Sequence, residues 1–239
     1  MLRHKKLAVE KTPPLYLRVY EILKDSIVNG DFAPGDQIIE TKLADEFNVS
    51  RTPIRDAIRQ LAKDGLVVAQ ENGVATVFAP TVFDVADIYV TRAALEALAG
   101  TIISTQPTKK YLGNLREILR ESTEAIERGD VRSVVQCNTD FHRTIIYESQ
   151  NRKIIHTIEA MHLQIMQIRR TSLEKLQHRS TSLSEHIEIV EAFEQGDPIQ
   201  IHRMVSEHIL RAGCRMIQYI GIPEQPSQTI EYLLKFKEA

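Results

Sequence analysis

The chain has 239 residues, 43% of them hydrophobic, and a formal net charge of −2, which fits two ordinary globular domains. A nearly balanced charge excludes a protein that coats nucleic acid through overall basicity. No apolar run approaches the roughly 20 residues of a membrane span, and the N-terminus lacks the apolar core of a signal peptide. The two cysteines fit a reducing compartment, so we expect a cytoplasmic protein.

Two short helices are predicted between residues 40 and 65. Residues 40–49 form the first helix, and Asn48 is expected to enter the left-handed conformation that a tight turn needs. Ser50 is a good N-cap for the second helix, residues 51–65. The apolar residues of that second helix recur three and four positions apart, which predicts one buried arc: Ile54, Ala57, Ile58 and Leu61.

The second helix also carries positive residues at intervals of four, and we call this its basic face: Arg51, Arg55, Arg59 and Lys63. One interpretation is a solvated surface with ion pairs to Asp56 and Asp64. The preceding helix and turn favour a helix-turn-helix, in which the second helix lies in the major groove of DNA with its basic face outward.

An alternating, β-branched pattern follows the second helix. Residues 66–70 and 74–78 read as two strands, and Glu71-Asn72-Gly73 lies between them. Asn-Gly between such runs indicates a tight hairpin, because its turn needs positive φ. The sequence therefore predicts a winged helix-turn-helix.

Helical periodicity continues beyond residue 80, and glycine becomes rare. The predicted helices are 83–104, 107–128, 131–148, 151–177, 183–195 and 198–219. The fold class is therefore mostly α: a winged helix-turn-helix over residues 1–80, followed by an all-helical antiparallel bundle over residues 81–222. Residues 223–239 form a C-terminal tail that is either loose or a short docking helix.

Two similar segments each end one predicted helix and open the next: EAIERGD at residues 124–130 and EAFEQGD at residues 191–197. Each is expected to make the same turn, with Gly at the helix end and Asp capping its successor. His186 and His208 lie ten residues on either side of the second turn, at Gly196 and Pro198, so they stand at similar heights in an antiparallel pair.

The first turn has a matching pair, because Asn138 and His142 are i,i+4 neighbours on the helix that it opens. If the two hairpins pack to equal depth, these residues meet His186 and His208 near the bundle centre. Three imidazoles and one amide oxygen would form a transition-metal site with positions left for a ligand. The alternative is that each histidine is an ordinary hydrogen-bonded residue.

Residues 12–80 resemble the DNA-binding domain of the GntR superfamily of bacterial transcription regulators. The resemblance is carried by Pro34-Gly35, Leu43-Ala44, residues 49–58, Leu61 and residues 64–67. It implies that Arg51, Thr52 and Arg55 contact phosphates and bases, and that Gly73 lets the wing approach the minor groove. The chain departs from the family pattern at Thr41-Lys42, where many members have an arginine, and in a wing tip without a basic residue. The recognition helix should then supply most of the affinity.

Residues 83–220 resemble the FCD-type (FadR C-terminal domain) ligand-binding domain of the FadR subfamily. The resemblance is carried by residues 92–96, 138–142, Asn151, Glu185-His186, Gly196-Asp197, Met204 and His208. It implies zinc, nickel or manganese bound by Asn138, His142, His186 and His208, although an Asp is the commoner first ligand. Arg92 matches a position that holds an effector carboxylate; the alternative is a helix-surface ion pair with Glu96.

The two resemblances together imply a bacterial transcriptional regulator, a repressor in the commoner arrangement, and not an enzyme. Such regulators resemble homodimers that bind double-stranded operator DNA and respond to a small carboxylate effector. Two alternatives remain open: the same regulator with a metal-free pocket for an acyl or sugar-acid ligand, and a zinc hydrolase, for which no HExxH motif is present.

Overall fold

A computed structural model describes residues 13–70, 73–106, 110–173 and 176–236. They fall into two compact units that divide between Phe78 and Ala79. The predicted wing-tip residues Glu71 and Asn72 lie outside the described residues. Among the helices of the described ranges, none is long and apolar enough to cross a membrane.

The first unit contains three helices and a small sheet. The helices are α1 (Leu15–Asn29), α2 (Glu40–Glu46) and α3 (Arg51–Lys63), and the strands are β1 (Gln37–Ile39), β2 (Val67–Ala69) and β3 (Val74–Val77). The antiparallel sheet has the order β1-β3-β2. The sequence pattern predicted β2 and β3 but missed β1, a three-residue strand whose pairing with β3 joins residues far apart in sequence.

The helix-turn-helix geometry follows from a few local features. Asn48 has a φ of 51°, as predicted, and the Val49 N–H donates to the Ala44 carbonyl to close the turn. Ser50 occupies the N-cap position, but within the described residues its side chain makes no capping hydrogen bond. The predicted apolar arc of α3 is buried, with Ile54 and Leu61 fully inaccessible, and α3 packs against α1.

The second unit is entirely helical in its described residues. Its helices are α4 (Val82–Ser104), α5 (Tyr111–Glu127), α6 (Val131–Glu148), α7 (Arg152–Ala160), α8 (His162–Leu173), α9 (Leu176–Gln195), α10 (Pro198–Ile220) and α11 (Gln228–Leu234). The two longest, α4 and α10, pack along each other, and α5 packs against α6 and α9. The predicted fold class is confirmed.

Close packing of α4 and α10 depends on a glycine. A Cβ on Gly213 would lie 2.7 Å from Cβ of Tyr89, closer than real side chains approach. The α4 helix itself begins with a capping box, in which Thr81 and Asp84 satisfy each other's backbone N–H groups. These two features fix where α4 starts and how near α10 lies.

The two similar turns form as predicted. Gly129 and Gly196 have φ values of 70° and 79°. Asp130 accepts a hydrogen bond from the Ser133 N–H and Asp197 accepts one from the Ile199 N–H, so each aspartate caps the following helix. Helices α6 and α10 therefore start from equivalent turns.

Two predicted helix boundaries were wrong. The predicted helix 151–177 is divided at Met161, because α7 packs on α4 and α6 whereas α8 packs on α6, α9 and α10, so the chain must change direction. Helix α9 begins at Leu176 instead of residue 183, and buried Ser182 is held there by tertiary contact despite its modest helix propensity. The predicted start of the helix 107–128 lies outside the described residues, and α5 spans Tyr111–Glu127.

The C-terminal tail contains the short docking helix that was one of its two interpretations. Ser227 caps α11 by accepting from the Ile230 N–H. Ile230 and Leu233 are fully buried, and α11 packs against α4 and α10.

Candidate functional site: an exposed basic helix and a buried histidine cluster

The basic face of α3 is exposed. The side chains of Arg51, Arg55 and Arg59 are 52%, 45% and 68% accessible, and Thr52 and Lys63 are exposed as well. The opposite arc is buried, so α3 is anchored on one side and free to meet a duplex on the other. This arrangement suits a phosphate-lined groove.

The alternative interpretation of the basic face expected ion pairs to Asp56 and Asp64, and only the first of these is found among the described residues. Arg59 pairs with Asp56 at 3.5 Å. Asp64, however, accepts hydrogen bonds from Tyr20 and Gln60. Arg51 and Arg55 instead converge on Glu40, at the start of α2.

Glu40 is a buried carboxylate with two arginine partners. Its oxygens accept from Arg51 Nη2 at 3.1 Å, and from Arg55 Nε at 3.1 Å and Nη2 at 3.0 Å. Hydrogen bonds from Arg55, and then from Arg51, lower the pKa of Glu40 below its ordinary value. Sequence reasoning missed Glu40, because its partners lie 11 and 15 residues away and no helical spacing connects them.

Gly73 lies against the same ion pairs. A Cβ at this position would stand 3.3 Å from both Arg51 Nη2 and a Glu40 oxygen, and the φ of Gly73 is 78°. The Glu40 N–H donates to the Gly73 carbonyl. Gly73, directly before β3, therefore lies against both α2 and α3.

In the second unit, three buried histidines meet, and we call them the histidine cluster: His142 of α6, His186 of α9 and His208 of α10. Each is 3–4% exposed. Nε2 of His208 lies 3.1 Å from Nε2 of His186 and 3.4 Å from Nε2 of His142. The ring of His186 stacks on Phe141, with centroids 3.9 Å apart.

Two buried carboxylates orient this cluster. Nδ1 of His142 lies 2.7 Å from Glu96, and Nδ1 of His208 lies 2.6 Å from Glu185. Burial raises the pKa of Glu96, but Arg92 and His142 outweigh burial and hold that pKa well below its ordinary value. An ionised carboxylate only accepts, so Nδ1 of each histidine carries the proton and Nε2 presents a lone pair.

The cluster therefore fits a metal ion. The Nε2 lone pairs of His142 and His208 face each other, which is unfavourable. A proton on one of them would relieve this contact, but burial lowers the pKa of His142 to about 3 and so disfavours its protonation. A transition metal lies about 2.0–2.1 Å from each imidazole nitrogen, which sets neighbouring ligand nitrogens roughly 3.0–3.4 Å apart. The Nε2 separations of His208 from His186 and from His142 match, and one ring nitrogen from each of the three histidines lies within 4.8 Å of the other two.

Asn138 lies at the same site but is already engaged. Its Nδ2 donates to Ser182 Oγ at 2.9 Å. This hydrogen bond uses the amide nitrogen of Asn138. It does not involve the amide oxygen Oδ1, which is the atom that coordinates metals. Asn138, His142 and His208 line one small cavity, with Ser182 on its wall.

Three arginines also line this cavity: Arg92, Arg169 and Arg215. Arg92 is buried and bonded to Glu96 at 2.8 Å, so the expected ion pair exists, but it is not at the helix surface. Arg215 is paired with Glu185. Arg169 is also buried, and its guanidinium donates to Thr139 Oγ1 at 2.8 Å.

Glu96 was expected only as a partner of Arg92, and its bond to His142 was missed. The spacing from Arg92 to Glu96 showed the first contact, but the second spans 46 residues. Among the other histidines, exposed His202 contacts Thr101 and half-buried His178 contacts Ser172.

Two family models match the chain. Residues 15–77 match bacterial regulatory proteins of the gntR family, and residues 87–211 match the FCD domain. The second match alone covers more than half of the chain.

Relatives and solved structures agree with these matches. The chain is 38% identical to the HTH-type transcriptional regulator YdhC of Bacillus subtilis (strain 168) over 152 residues, 63% of this chain and 68% of that protein. It is 25% identical to the HTH-type transcriptional repressor RspR of Escherichia coli (strain K12), over 83% of this chain and 87% of the repressor. The structure of E. coli McbR/YncC has a TM-score of 0.73 at 21% identity, covers 88% of this chain and 100% of that one, and supports the fold.

These families and relatives are transcriptional regulators, a class without enzymatic activity, which argues against the zinc-hydrolase alternative. The winged helix-turn-helix, the helical unit and both family matches lead to one conclusion. The chain belongs to the GntR family of bacterial transcriptional regulators and carries an FCD domain.

Proposed function

We propose that the chain is a homodimeric repressor whose affinity for operator DNA is controlled by a small organic acid bound beside a divalent transition metal. The observation that carries the effector part is a buried cluster of imidazole lone pairs next to Arg169, which makes no direct ion pair with a carboxylate in the described part of the chain. A similar protein, RspR, is a repressor by name, which supports the direction of control.

On the DNA side, Arg51, Thr52, Arg55 and Arg59 contact phosphates and base edges from the exposed side of α3. Their positive charge is local, because the chain as a whole carries a net charge of −2. Local charge favours short specific sites over general coating of DNA. Gly73 lies against Arg51 and Glu40, and the absence of a side chain at this position lets the backbone come close to a minor groove.

On the effector side, His142, His186 and His208 hold the metal, and the Asn138 oxygen completes the set. Zinc, nickel or manganese fits this mixture of imidazole and amide ligands. The bound metal supplies a Lewis acid for a carboxylate oxygen.

Among the described residues, the three arginines that line the cavity outnumber the two carboxylates that pair with them directly. Glu96 neutralises Arg92 and Glu185 neutralises Arg215, whereas the Arg169 partner among the described residues is the neutral Thr139. Burial, and then repulsion from Arg92, lower the pKa of Arg169 to about 9. A carboxylate beside Arg169 would offset both the burial of its charge and the repulsion from Arg92, so Arg169 is the better candidate for effector binding. Arg92 orients Glu96 beside it.

The alternative of a metal-free acyl pocket fits this cavity poorly. Its wall carries three arginines and two histidines of the cluster, and an acyl chain would leave these polar groups without partners. A sugar acid meets the same carboxylate requirement and remains within the proposal.

A thermal-shift experiment tests the effector site. Acetate, succinate and citrate are each added with and without zinc to the wild type, to Arg169→Gln and to the control Arg170→Gln, which changes the neighbouring charge on α8. A ligand at 100 times its Kd stabilises the folded state by about 2.7 kcal/mol. At about 2–4 °C per kcal/mol for a protein of this size, the Tm should rise by roughly 5–11 °C.

We expect at least one acid to raise the Tm of the wild type and of Arg170→Gln only when zinc is present, and Arg169→Gln to show no rise. Equal rises in all three proteins, or no rise in any, would refute the effector site. Fluorescence anisotropy with operator DNA then shows whether the stabilising acid releases the DNA, as a repressor with an inducer requires.

A further inference from the structure

Glu40 joins three parts of the DNA-binding unit at one buried point. Its backbone N–H donates to the Gly73 carbonyl, and its side chain accepts from Arg51 and Arg55 of α3. Only 5% of Glu40 is accessible, whereas the two arginines are about half exposed. A buried anion therefore holds two cations that a duplex can still reach.

The contact between Arg55 and Glu40 leaves the outer edge of the Arg55 guanidinium free of Glu40. Glu40 takes Nε–H and one N–H of Nη2. A guanidinium has five N–H donors, so the outer edge formed by Nη1 and Nη2 keeps a complete pair. That pair is the fork that binds guanine or phosphate with two hydrogen bonds.

The contact of Glu40 with the two arginines also reduces the positive charge of the basic face. Glu40 offsets part of the positive charge that α3 shows to phosphates, which lowers the attraction to any DNA sequence. Held arginines also lose less side-chain freedom when they bind, and they reach only those acceptors that lie in the right place.

We propose that Glu40 is a positioning residue that sets the sequence specificity of the basic face, by fixing Arg51 and Arg55 and by weakening non-specific attraction to DNA. This inference rests on the proposed role of α3 in reading DNA. Gly73 supports this arrangement, because a side chain at position 73 would press on the Arg51–Glu40 contact.

The test compares Glu40→Gln with Glu46→Gln, which removes the same charge from the exposed far end of α2. Binding is measured to a mixed-sequence duplex and to a duplex that the wild type selects from a random pool, each at several salt concentrations. Melting temperature and circular dichroism report the fold.

For Glu40→Gln we expect several-fold tighter binding to the mixed-sequence duplex, a steeper salt dependence, and roughly tenfold weaker discrimination between the two duplexes. Glu46→Gln should keep the wild-type discrimination. A purely structural role would instead weaken binding to both duplexes in proportion and leave the ratio unchanged, and that result would overturn the proposal.

A second result would overturn it as well: equal behaviour of the two variants on the mixed-sequence duplex. That measurement needs no selected site, so it decides the role of Glu40 even if the wild type selects no sequence. Failure of selection by the wild type would count against α3 as a DNA reader, which is a separate conclusion.

Discussion

At the scale of single residues, hydrogen bonds alone cannot satisfy all the ring nitrogens of the histidine cluster. Glu96 and Glu185 fix the protons of His142 and His208 on Nδ1, and the opposing Nε2 atoms then face each other at 3.4 Å. One proton on His186 can bridge to His208, but it leaves the lone pair of His142 without a donor in the cluster. A cation resolves the conflict for all three rings at once.

Metal content tests this argument directly. His186→Ala removes one ligand, and we expect the zinc content to fall from about one ion per chain to near zero, because two imidazoles and an amide hold zinc weakly. His202→Ala is the matched control, since His202 is an exposed histidine of α10. Equal zinc content in His186→Ala and the wild type, measured by elemental analysis after dialysis, would contradict the ligand set.

Stability should depend on pH in the metal-stripped protein. The pKa of His142 in the fold is about 3, below its ordinary value of 6.5, and burial also places the pKa of His186 well below 6.5. The unfolded chain therefore binds protons first, so stability is full above about pH 6.5 and falls as the pH drops towards 3. The low pKa values of Glu96 and Glu185 add a further loss below about pH 4.5.

The measurement is urea unfolding of the second unit in the presence of a chelator, at about pH 7.5, 6 and 5. We expect the midpoint to decrease at each step below pH 6.5. A constant midpoint across this range would show that the histidines are protonated as easily in the folded unit as in the unfolded chain.

The sequence predicted the histidine cluster, because equal offsets from two like turns place residues at equal depth. It could not predict Glu96 and Glu185 as the partners of His142 and His208, since these contacts join residues 46 and 23 positions apart. Glu40 was missed for the same reason. Local spacing shows what lies on one helix face, whereas contacts between elements depend on how the helices pack.

At the scale of elements, the paired helices α4 and α10 carry the second unit. Their close approach is encoded in Gly213, whose missing side chain makes room for Tyr89. Tyr89 in turn packs on Arg92, with the guanidinium 4.9 Å from the ring centroid. The helix pair thus connects core packing to the wall of the cavity that Arg92 lines.

Gly213→Ala and Gly113→Ala form a matched pair of helix substitutions. At an exposed helical position such as Gly113, where a new Cβ meets no atom within 4 Å, alanine should stabilise the fold by up to about 1 kcal/mol. At Gly213 the same gain is outweighed by overpacking against Tyr89, which costs about 1–3 kcal/mol, so we expect net destabilisation.

Urea unfolding of both variants checks this expectation. The two changes in unfolding free energy should have opposite signs. Stabilisation by Gly213→Ala would show that α4 and α10 are not in close contact at this point.

Element boundaries were predicted well where a turn has its own chemistry and poorly where it does not. Glycine and aspartate marked the ends of α5 and α9, and Asn48 marked the turn before α3. The division between α7 and α8 has no glycine or proline; it arises because the two helices pack on different neighbours. The short strand β1 is likewise set by its pairing with β3.

At the scale of the whole molecule, the chain combines a DNA-binding unit with a helical unit that contains a polar, buried cavity. The cavity offers about 20 Å³ to the centres of water-sized molecules, so it holds an ion or a water but must expand to admit an organic acid. Such an expansion would make the effector-bound and effector-free structures of the helical unit different. A ligand can change DNA affinity only through such a difference, typically by about 1–3 kcal/mol.

The central claim is that the exposed basic face of α3 reads DNA, and selection from a random pool of duplexes tests it most directly. The wild type should enrich a two-fold symmetric motif, with half-sites about one helical turn apart, as a homodimer requires. Arg55→Ala should enrich no motif while it stays folded by circular dichroism, and Arg116→Ala, which changes an exposed arginine of α5, should select like the wild type. Enrichment of the same motif with equal affinity by Arg55→Ala would contradict the account.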